Sequence, residues 1–312
     1  MPMHTIWSIG EAMVELRHAA PGSLAQTFGG DTLNTAVYLA RLLPQAQVRY
    51  VSAVGTDPLS AELLAFIATQ GVDTALIARD PERLPGLYLI ETDAAGERRF
   101  HYWRSAAAAR HMLGAAQGAT LDAAACELVY FSGVSLAILD DARRERLLGL
   151  AARKRAAGAR VAFDSNYRPR LWEDVASARR WNAAALALTD IALLTFDDEA
   201  ALHGDTDPAT VLARARAAGV GTVVVKHGAA GCLLAADAGA PPVTVPTEAV
   251  TPVDTTAAGD SFNAGFLTGI ARGLPPAAAA ALGHRVAGRV IRHPGAIVPV
   301  AATADLVDAA GA

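Results

Sequence analysis

"ELVYFSG" (127–133), "DDARRERLLGLAARKRAAG" (140–158) and "ARVAFD" (159–164) follow one another along the chain, and their reading decides the fold. Two short runs rich in β-branched and aromatic residues flank a longer one whose apolar residues recur at helical spacing, which gives strand, helix, strand. The pattern repeats outward. "TIWSIG" (5–10), "RYVSAVG" (49–55), "DIALLT" (190–195) and "GTVVVK" (221–226) read as strands, and "TLNTAVYLARLL" (32–43), "PLSAELLAFIATQG" (58–71) and "PATVLARARAAG" (208–219) as helices. Such a βαβ rhythm predicts an α/β fold, with a mostly parallel central sheet covered by helices on both faces. Ligands then bind outside the carboxyl ends of the strands.

One stretch breaks the rhythm. "GLYLIETDAAGERRFHYWR" (86–104) reads as two strands around the turn "DAAG" (93–96), with Phe100 and Tyr102 on one face and His101 and Trp103 on the other. With strand-like pieces near 12–16 and 24–28, this hairpin is expected to form a small sheet that covers a site and excludes water. No repeat, linker or charge block divides the chain. The expectation is one domain over 1–312, with a lid built from segments near 12–28 and 86–104.

A chain of 312 residues with 52% hydrophobic composition can bury a large core. A net charge of −4 provides no basic footprint for nucleic acid or an anionic membrane surface. Mean hydropathy is +0.26, but alanine causes most of it, and charges interrupt every stretch approaching the ~20 apolar residues of a membrane span. Cys126 and Cys232 stand far apart and form no metal-type pair, and "MPMHTIWSIGEAMVEL" (1–16) has no basic start before its apolar run. A reducing cytoplasm is the expected compartment. Lysine is scarce: only Lys154 and Lys226 occur. Neither follows a glycine, so there is no P-loop; no GxGxxG follows a strand, and HExxH is missing.

"DTTAAGDSFNAG" (254–265) places Gly259 and Asp260 where an apolar helix begins. A helix start leaves amide groups without partners and concentrates partial positive charge, so a turn of small residues lets an anion approach. Asp260 therefore has two readings: a cap for the helix, or a carboxylate held where a bound phosphate meets a second reactant. "GGDTLNTAVYLARL" (29–42) poses the same choice, since Asp31 could cap its helix with Asn34 three positions on, while Gly29 and Gly30 permit close backbone approach.

"DTTAAGDSFNAG" resembles the C-terminal signature of the ribokinase family of sugar kinases, and "GGDTLNTAVYLARL" its N-terminal Gly-Gly signature. The two lie more than 200 residues apart in the family's order. With "DSNYRPRLW" (164–172) and "VVVKHGAAG" (223–231), the resemblance runs from residue 6 to about 298. Within the family, "GGDTLNTA", the 86–104 hairpin and "DSNYRPRLW" most resemble the kinases of 2-keto-3-deoxygluconate. The resemblance implies a ribokinase-like three-layer sandwich with a β lid, and transfer of the ATP γ-phosphoryl group, with Mg2+, to the 6-hydroxyl of a small sugar acid. A fructokinase or another ribokinase-like sugar kinase is the neighbouring reading. A non-catalytic sugar-binding regulator is the reading from another class.

The resemblance also distributes roles. Asp260 becomes the general base, with the amides around Ala257, Ala258 and Gly259 holding the transferring phosphoryl charge. Ala257 stands where the family pattern usually has glycine, and its methyl disfavours positive φ. Gly30, Asp31 and Asn34 are assigned to sugar hydroxyls. Tyr88, Tyr102, Arg104 and Arg168 are assigned to the acid, because a guanidinium matches a carboxylate with paired charge-assisted hydrogen bonds. Asn166, Lys226, Gly228 and Gly231 fall on the nucleotide side with Ala258 and Gly259. "TFDDEA" (195–200) matches the family's magnesium-associated Asn-x-x-Glu poorly; Glu199, or Asp198, supplies its carboxylate. The lid edge offers a surface on which a second copy could pair.

Overall fold

A computed structural model describes residues 3–20, 22–92, 98–236 and 239–307. The expected turn at 93–96 lies outside the described residues. The strands are β1 (Thr5–Ile9), β2 (Met13–Ala20), β3 (Ser23–Gly29), β4 (Gln47–Gly55), β5 (Ile77–Asp80), β6 (Gly86–Thr92), β7 (Arg98–Trp103), β8 (Leu128–Ser132), β9 (Arg160–Asp164), β10 (Ile191–Thr195), β11 (Thr222–Lys226), β12 (Cys232–Ala235) and β13 (Val243–Val245). Nine of them form one sheet in the order β13-β12-β11-β10-β9-β8-β1-β4-β5. Its pairs from β11 to β5 are parallel, and β12 and β13 close one side antiparallel.

The six strands read from the sequence are the contiguous centre, β11 to β4 in sheet order. Their side chains alternate between two cores. Ile6, Leu128, Tyr130, Ala162, Leu193 and Val224 pack with the helices Asp31–Leu42, Ala258–Ala271 and Pro276–Val290. Trp7, Val129, Phe131, Phe163, Leu194 and Val225 pack with Asp141–Ala156, Val175–Leu186 and Pro208–Ala217. A strand covered on both faces must be apolar at every position, and that makes it legible as a continuous run. The strands the sequence did not announce, β5, β12 and β13, lie toward the two sides of the sheet.

The chain enters at β1, builds outward through β4 and β5, and later returns to place β8 against the other side of β1. Connections therefore diverge between β1 and β8, which opens a crevice at the carboxyl ends of those strands. Close approach there needs small residues: a Cβ on Gly133, just after β8, would lie 1.9 Å from the Ser165 carbonyl oxygen just after β9.

The second sheet has four strands in the order β3-β2-β6-β7, with β2 parallel to β6 and the other pairs antiparallel. The strand-like pieces near 12–16 and 24–28 become β2 and β3, and the hairpin supplies β6 and β7. Its register aligns Glu15, Tyr88 and Tyr102 in one row across three strands. Phe100 and Tyr102 join Tyr88 in an aromatic cluster with ring centroids 5.8 to 6.3 Å apart, whereas His101 faces Glu91 and Trp103 is exposed. Among the described residues, no helix is long and apolar enough to cross a membrane.

Candidate active site

Asp260 occupies the first turn of the helix Ala258–Ala271 without capping it. The cap position belongs to Ala257, which makes no side-chain cap hydrogen bond. Ala257 takes the left-handed conformation, φ 60° and ψ 18°, at a cost for an L-residue of roughly 1–2 kcal/mol. The helix holds the strain because it is locked against its neighbour: a Cβ on Gly265 would lie 2.8 Å from Gly283 Cα, and one on Gly269 2.7 Å from Ala279. Of the amides assigned to phosphate, that of Ala258 donates to the Thr255 carbonyl at 3.2 Å.

The Asp260 carboxylate accepts a 2.8 Å hydrogen bond from Asn34 Nδ2, 226 residues away in sequence. The Asn34 Oδ1 is buried with no hydrogen-bond partner among the described residues. Thr35 ties the two helices again, its hydroxyl donating to the Asp260 carbonyl at 3.1 Å. Burial, and then the charge of Asp31, push the Asp260 carboxyl up to about 8, opposed by the Asn34 hydrogen bond. Asp164 raises it further and Lys226 lowers it.

Asp31 does not cap its helix either, since the cap residue is Gly30. A Cβ on Gly30 would lie 2.2 Å from the Glu11 carbonyl oxygen, so only glycine fits this crossing. The Asp31 carboxylate instead reaches across the crevice, accepting from Ser132 Oγ at 2.5 Å and Asn166 Nδ2 at 2.8 Å. Asn166 sits in left-handed backbone, φ 32°. The two signature motifs and "DSNYRPRLW" thus meet around one crevice at the ends of β8 and β9.

Lys226, the last residue of β11, is buried, with Nζ 3.2 Å from Asp164 Oδ2 and 3.0 Å from Asn263 Oδ1. Asn263 also donates to Asp164 at 2.7 Å and to the Tyr130 hydroxyl at 3.1 Å. A Cβ on Gly259 would lie 3.7 Å from Lys226 Nζ, which sets the ammonium beside the helix start. Asp164, Asn263 and Tyr130 carry no role in the sequence reading, although the first two lie inside quoted motifs. A buried charge needs a partner, so a scarce lysine at a strand end was the signal that could have led to them. Gly228 and Gly231 have φ of 52° and 88°, and a Cβ on Gly231 would lie 2.3 Å from the Val245 carbonyl oxygen. Beside them, between the end of β13 and the helix Pro276–Val290, lies a cavity of about 420 Å³ lined by residues including Pro246, Val250, His284 and Arg285. His284 packs edge-on against Phe262, two residues beyond Asp260. The sequence reading gave this cavity no part.

The residues assigned to the acid come from both sheets. The Tyr88 hydroxyl donates to Glu15, and burial with that carboxylate pushes the phenol up. Asp260 is close enough to raise it further. The Arg104 guanidinium forms an ion pair with buried Glu11 and lies over the Tyr102 ring at 5.7 Å. Burial raises the Glu11 carboxyl and Arg104 opposes it. Arg168 pairs with Asp198 at 3.0 Å, its side chain half exposed, and feels Asp164, Asp31 and Asp260. Both arginines thus have a carboxylate partner already in place.

Glu199 is placed differently. It is 2% exposed and paired with Arg214 at 2.7 Å, and Arg214 also holds Asp205. Burial raises its carboxyl. Asp198 is more open, raised first by burial, lowered by Arg168, and within the fields of Asp164 and Lys226. Among the described residues no three His, Cys, Asp or Glu side chains cluster as metal ligands.

Residues 3–303 match the pfkB family of carbohydrate kinases. The 2-dehydro-3-deoxygluconokinase of Dickeya dadantii is 47% identical over 310 residues, covering 97% of this chain and 99% of its own. That of Escherichia coli K12 is 47% identical over 299 residues, covering 93% and 96%. Among solved structures, the fructokinase of Xylella fastidiosa with bound ATP superimposes with a TM-score of 0.82 at 25% identity, over 99% of both chains. The sandwich with its second sheet is the ribokinase-like fold that the motifs implied.

Proposed function

The chain belongs to the pfkB family of carbohydrate kinases, which transfer a phosphoryl group to an alcohol, and on that premise we propose that it phosphorylates the 6-hydroxyl of 2-keto-3-deoxygluconate from MgATP, with Asp260 as general base. The observation that carries the reading is the Asn34–Asp260 hydrogen bond at 2.8 Å. It joins the two signature motifs at one carboxylate.

The geometry supports the following roles. Asn34 holds the Asp260 carboxylate by a neutral amide, so the carboxylate keeps an oxygen for the proton of an attacking hydroxyl. The unpartnered Asn34 Oδ1 is an acceptor for a sugar hydroxyl. Burial and the charge of Asp31 raise the proton affinity of Asp260 toward the working pH, which strengthens a weak carboxylate base. The amides of the first helical turn and the Lys226 ammonium beside Gly259 stabilise the charge on the transferring group. Gly228, Gly231 and the cavity beside His284 lie on the nucleotide side and would take the base and ribose. Magnesium enters as the counter-ion of the nucleotide, held mainly by phosphate and water, as its preference for a largely hydrated octahedral shell allows. We assign Asp198, rather than the Arg214-bound Glu199, to the carboxylate facing that ion through water.

The acid is met by Arg104 and Arg168, flanked by Tyr88 and Tyr102, and the second sheet serves as the cover. Substituting either arginine by alanine is expected to raise KM for the sugar acid while leaving KM for ATP near wild type. The deciding experiment follows ADP release with 2-keto-3-deoxygluconate and MgATP for the wild type and Asp260→Asn. Wild-type turnover lost in the variant supports the kinase. Sugar binding without turnover in the wild type supports a regulator, and preference for a neutral ketose in a substrate panel supports a fructokinase.

A further inference from the structure

Four chain segments cross between the two sheets, and one residue lies in one of them and against the other three, by its main chain or its side chain. Glu11 lies in the connection from β1 to β2. Its carbonyl oxygen would be 2.2 Å from a Cβ on Gly30, where the chain leaves β3 for the helix Asp31–Leu42. Its Oε1 would be 2.5 Å from a Cβ on Gly86, where β6 begins. Its other carboxylate oxygen accepts from Arg104, just after β7. Glu11 is 1% exposed and the Arg104 side chain 9%. Gly86 thus leaves room for a carboxylate whose one ion-pair partner among the described residues is a residue assigned to the substrate.

We propose that Glu11 is a positioning residue for acid recognition, fixing the Arg104 guanidinium at the join of the two sheets so that its remaining donors meet the carboxylate of the sugar acid. This rests on the reading given under Proposed function. A guanidinium has five donors, and Glu11 takes one through Nη2; among the described residues the buried Arg104 Nε and Glu11 Oε1 have no hydrogen-bond partner. A long flexible side chain loses its rotamer freedom before the substrate arrives, so less ordering is left for binding. Glu15 and Tyr88 repeat the arrangement four residues along, with a buried carboxylate from β2 holding a hydroxyl from β6. That repetition places the orienting groups on β2 and the connection leading into it, and the contacting groups on the hairpin.

The test is a double-mutant cycle on Glu11 and Arg104, with KM and kcat measured for 2-keto-3-deoxygluconate and for ATP. Glu11→Ala is expected to raise KM for the sugar acid about tenfold, the scale of a hydrogen bond to a charged group, with kcat and KM for ATP within about twofold. Glu11→Gln, which keeps an acceptor oxygen, recovers most of the loss. In the Arg104→Ala background, Glu11→Ala adds no further rise. An equal rise in both backgrounds, or no rise at all, overturns the proposal. Should Glu11→Ala fail to fold, Glu11→Gln carries the same cycle with a rise of about threefold that must vanish without Arg104. A wild type that does not phosphorylate the sugar acid overturns the functional reading and this inference together. A wild type that does, with a KM indifferent to Glu11, overturns the inference alone.

Discussion

Asp260 and Glu199 are both acidic residues in the first turn of a helix near the crevice, and burial raises both carboxyls. Their holds differ. Glu199 has a guanidinium at 2.7 Å, which neutralises it and makes it a strut between the helices Phe196–His203 and Pro208–Ala217. Asp260 is gripped by the neutral amide of Asn34, and the nearby Lys226 ammonium is itself bonded to Asp164. Depth of burial therefore does not distinguish a structural acid from a reactive one. What differs is the partner: Glu199 is bound to its own cation, whereas Asp260 is fixed by a neutral amide and, on the function proposed above, is the one that takes the proton of the substrate hydroxyl.

The largest effect that could break this comparison is kinetic. Asp260→Asn is expected to lower kcat about 10³-fold, the middle of the range for a general base, with the fold intact by circular dichroism. A kcat within tenfold of wild type would make Asp260 as structural as Glu199. Next in size, Glu199→Gln is expected to cost about 1 kcal/mol in urea unfolding, because Arg214 loses one of its two carboxylate partners and keeps Asp205. The same variant should leave the magnesium concentration for half-maximal rate unchanged, whereas Asp198→Asn should raise it. Reversed outcomes would return the ion-facing role to Glu199.

A smaller effect separates the two acids by pH. A carboxyl whose folded pKa lies above its unfolded value binds more protons in the native state, so stability falls as pH rises between the two values. For Asp260 that window runs from about 4, the ordinary aspartate value, to about 8. Asp260→Asn removes the penalty, so its melting temperature should exceed that of the wild type by a margin that widens from pH 5 to pH 8. In ligand-free enzyme the basic form grows over the upper part of that window, so kcat/KM should rise with pH toward about 8. The smallest effect is at Ala257. Ala257→Gly relieves the left-handed strain but frees the unfolded chain, so unfolding should shift by less than about 1 kcal/mol.

Part of the site was legible in the sequence for a local reason. A helix start with small residues and an acid needs only neighbouring positions, so "DTTAAGDSFNAG" and "GGDTLNTA" could each be singled out, but capping and binding could not be told apart. Cap geometry removed the capping reading, since Gly30 and Ala257 hold the cap positions and the acids point elsewhere. The six central strands were legible because cover on both faces demands apolar residues throughout, whereas β5, β12 and β13, toward the sides of the sheet, carry a weaker pattern. The strands of the hairpin showed in its alternation. That Arg104 meets Glu11, 93 residues away, did not.

The sequence by itself determined the alternation of strand and helix, the small hairpin sheet and the two motifs, because periodicity and turn chemistry act between residues close along the chain. Only the tertiary structure decided which carboxylates keep a free oxygen and which are bound to a cation. That depends on side chains brought together from distant segments, where burial makes the identity of one neighbour outweigh everything local.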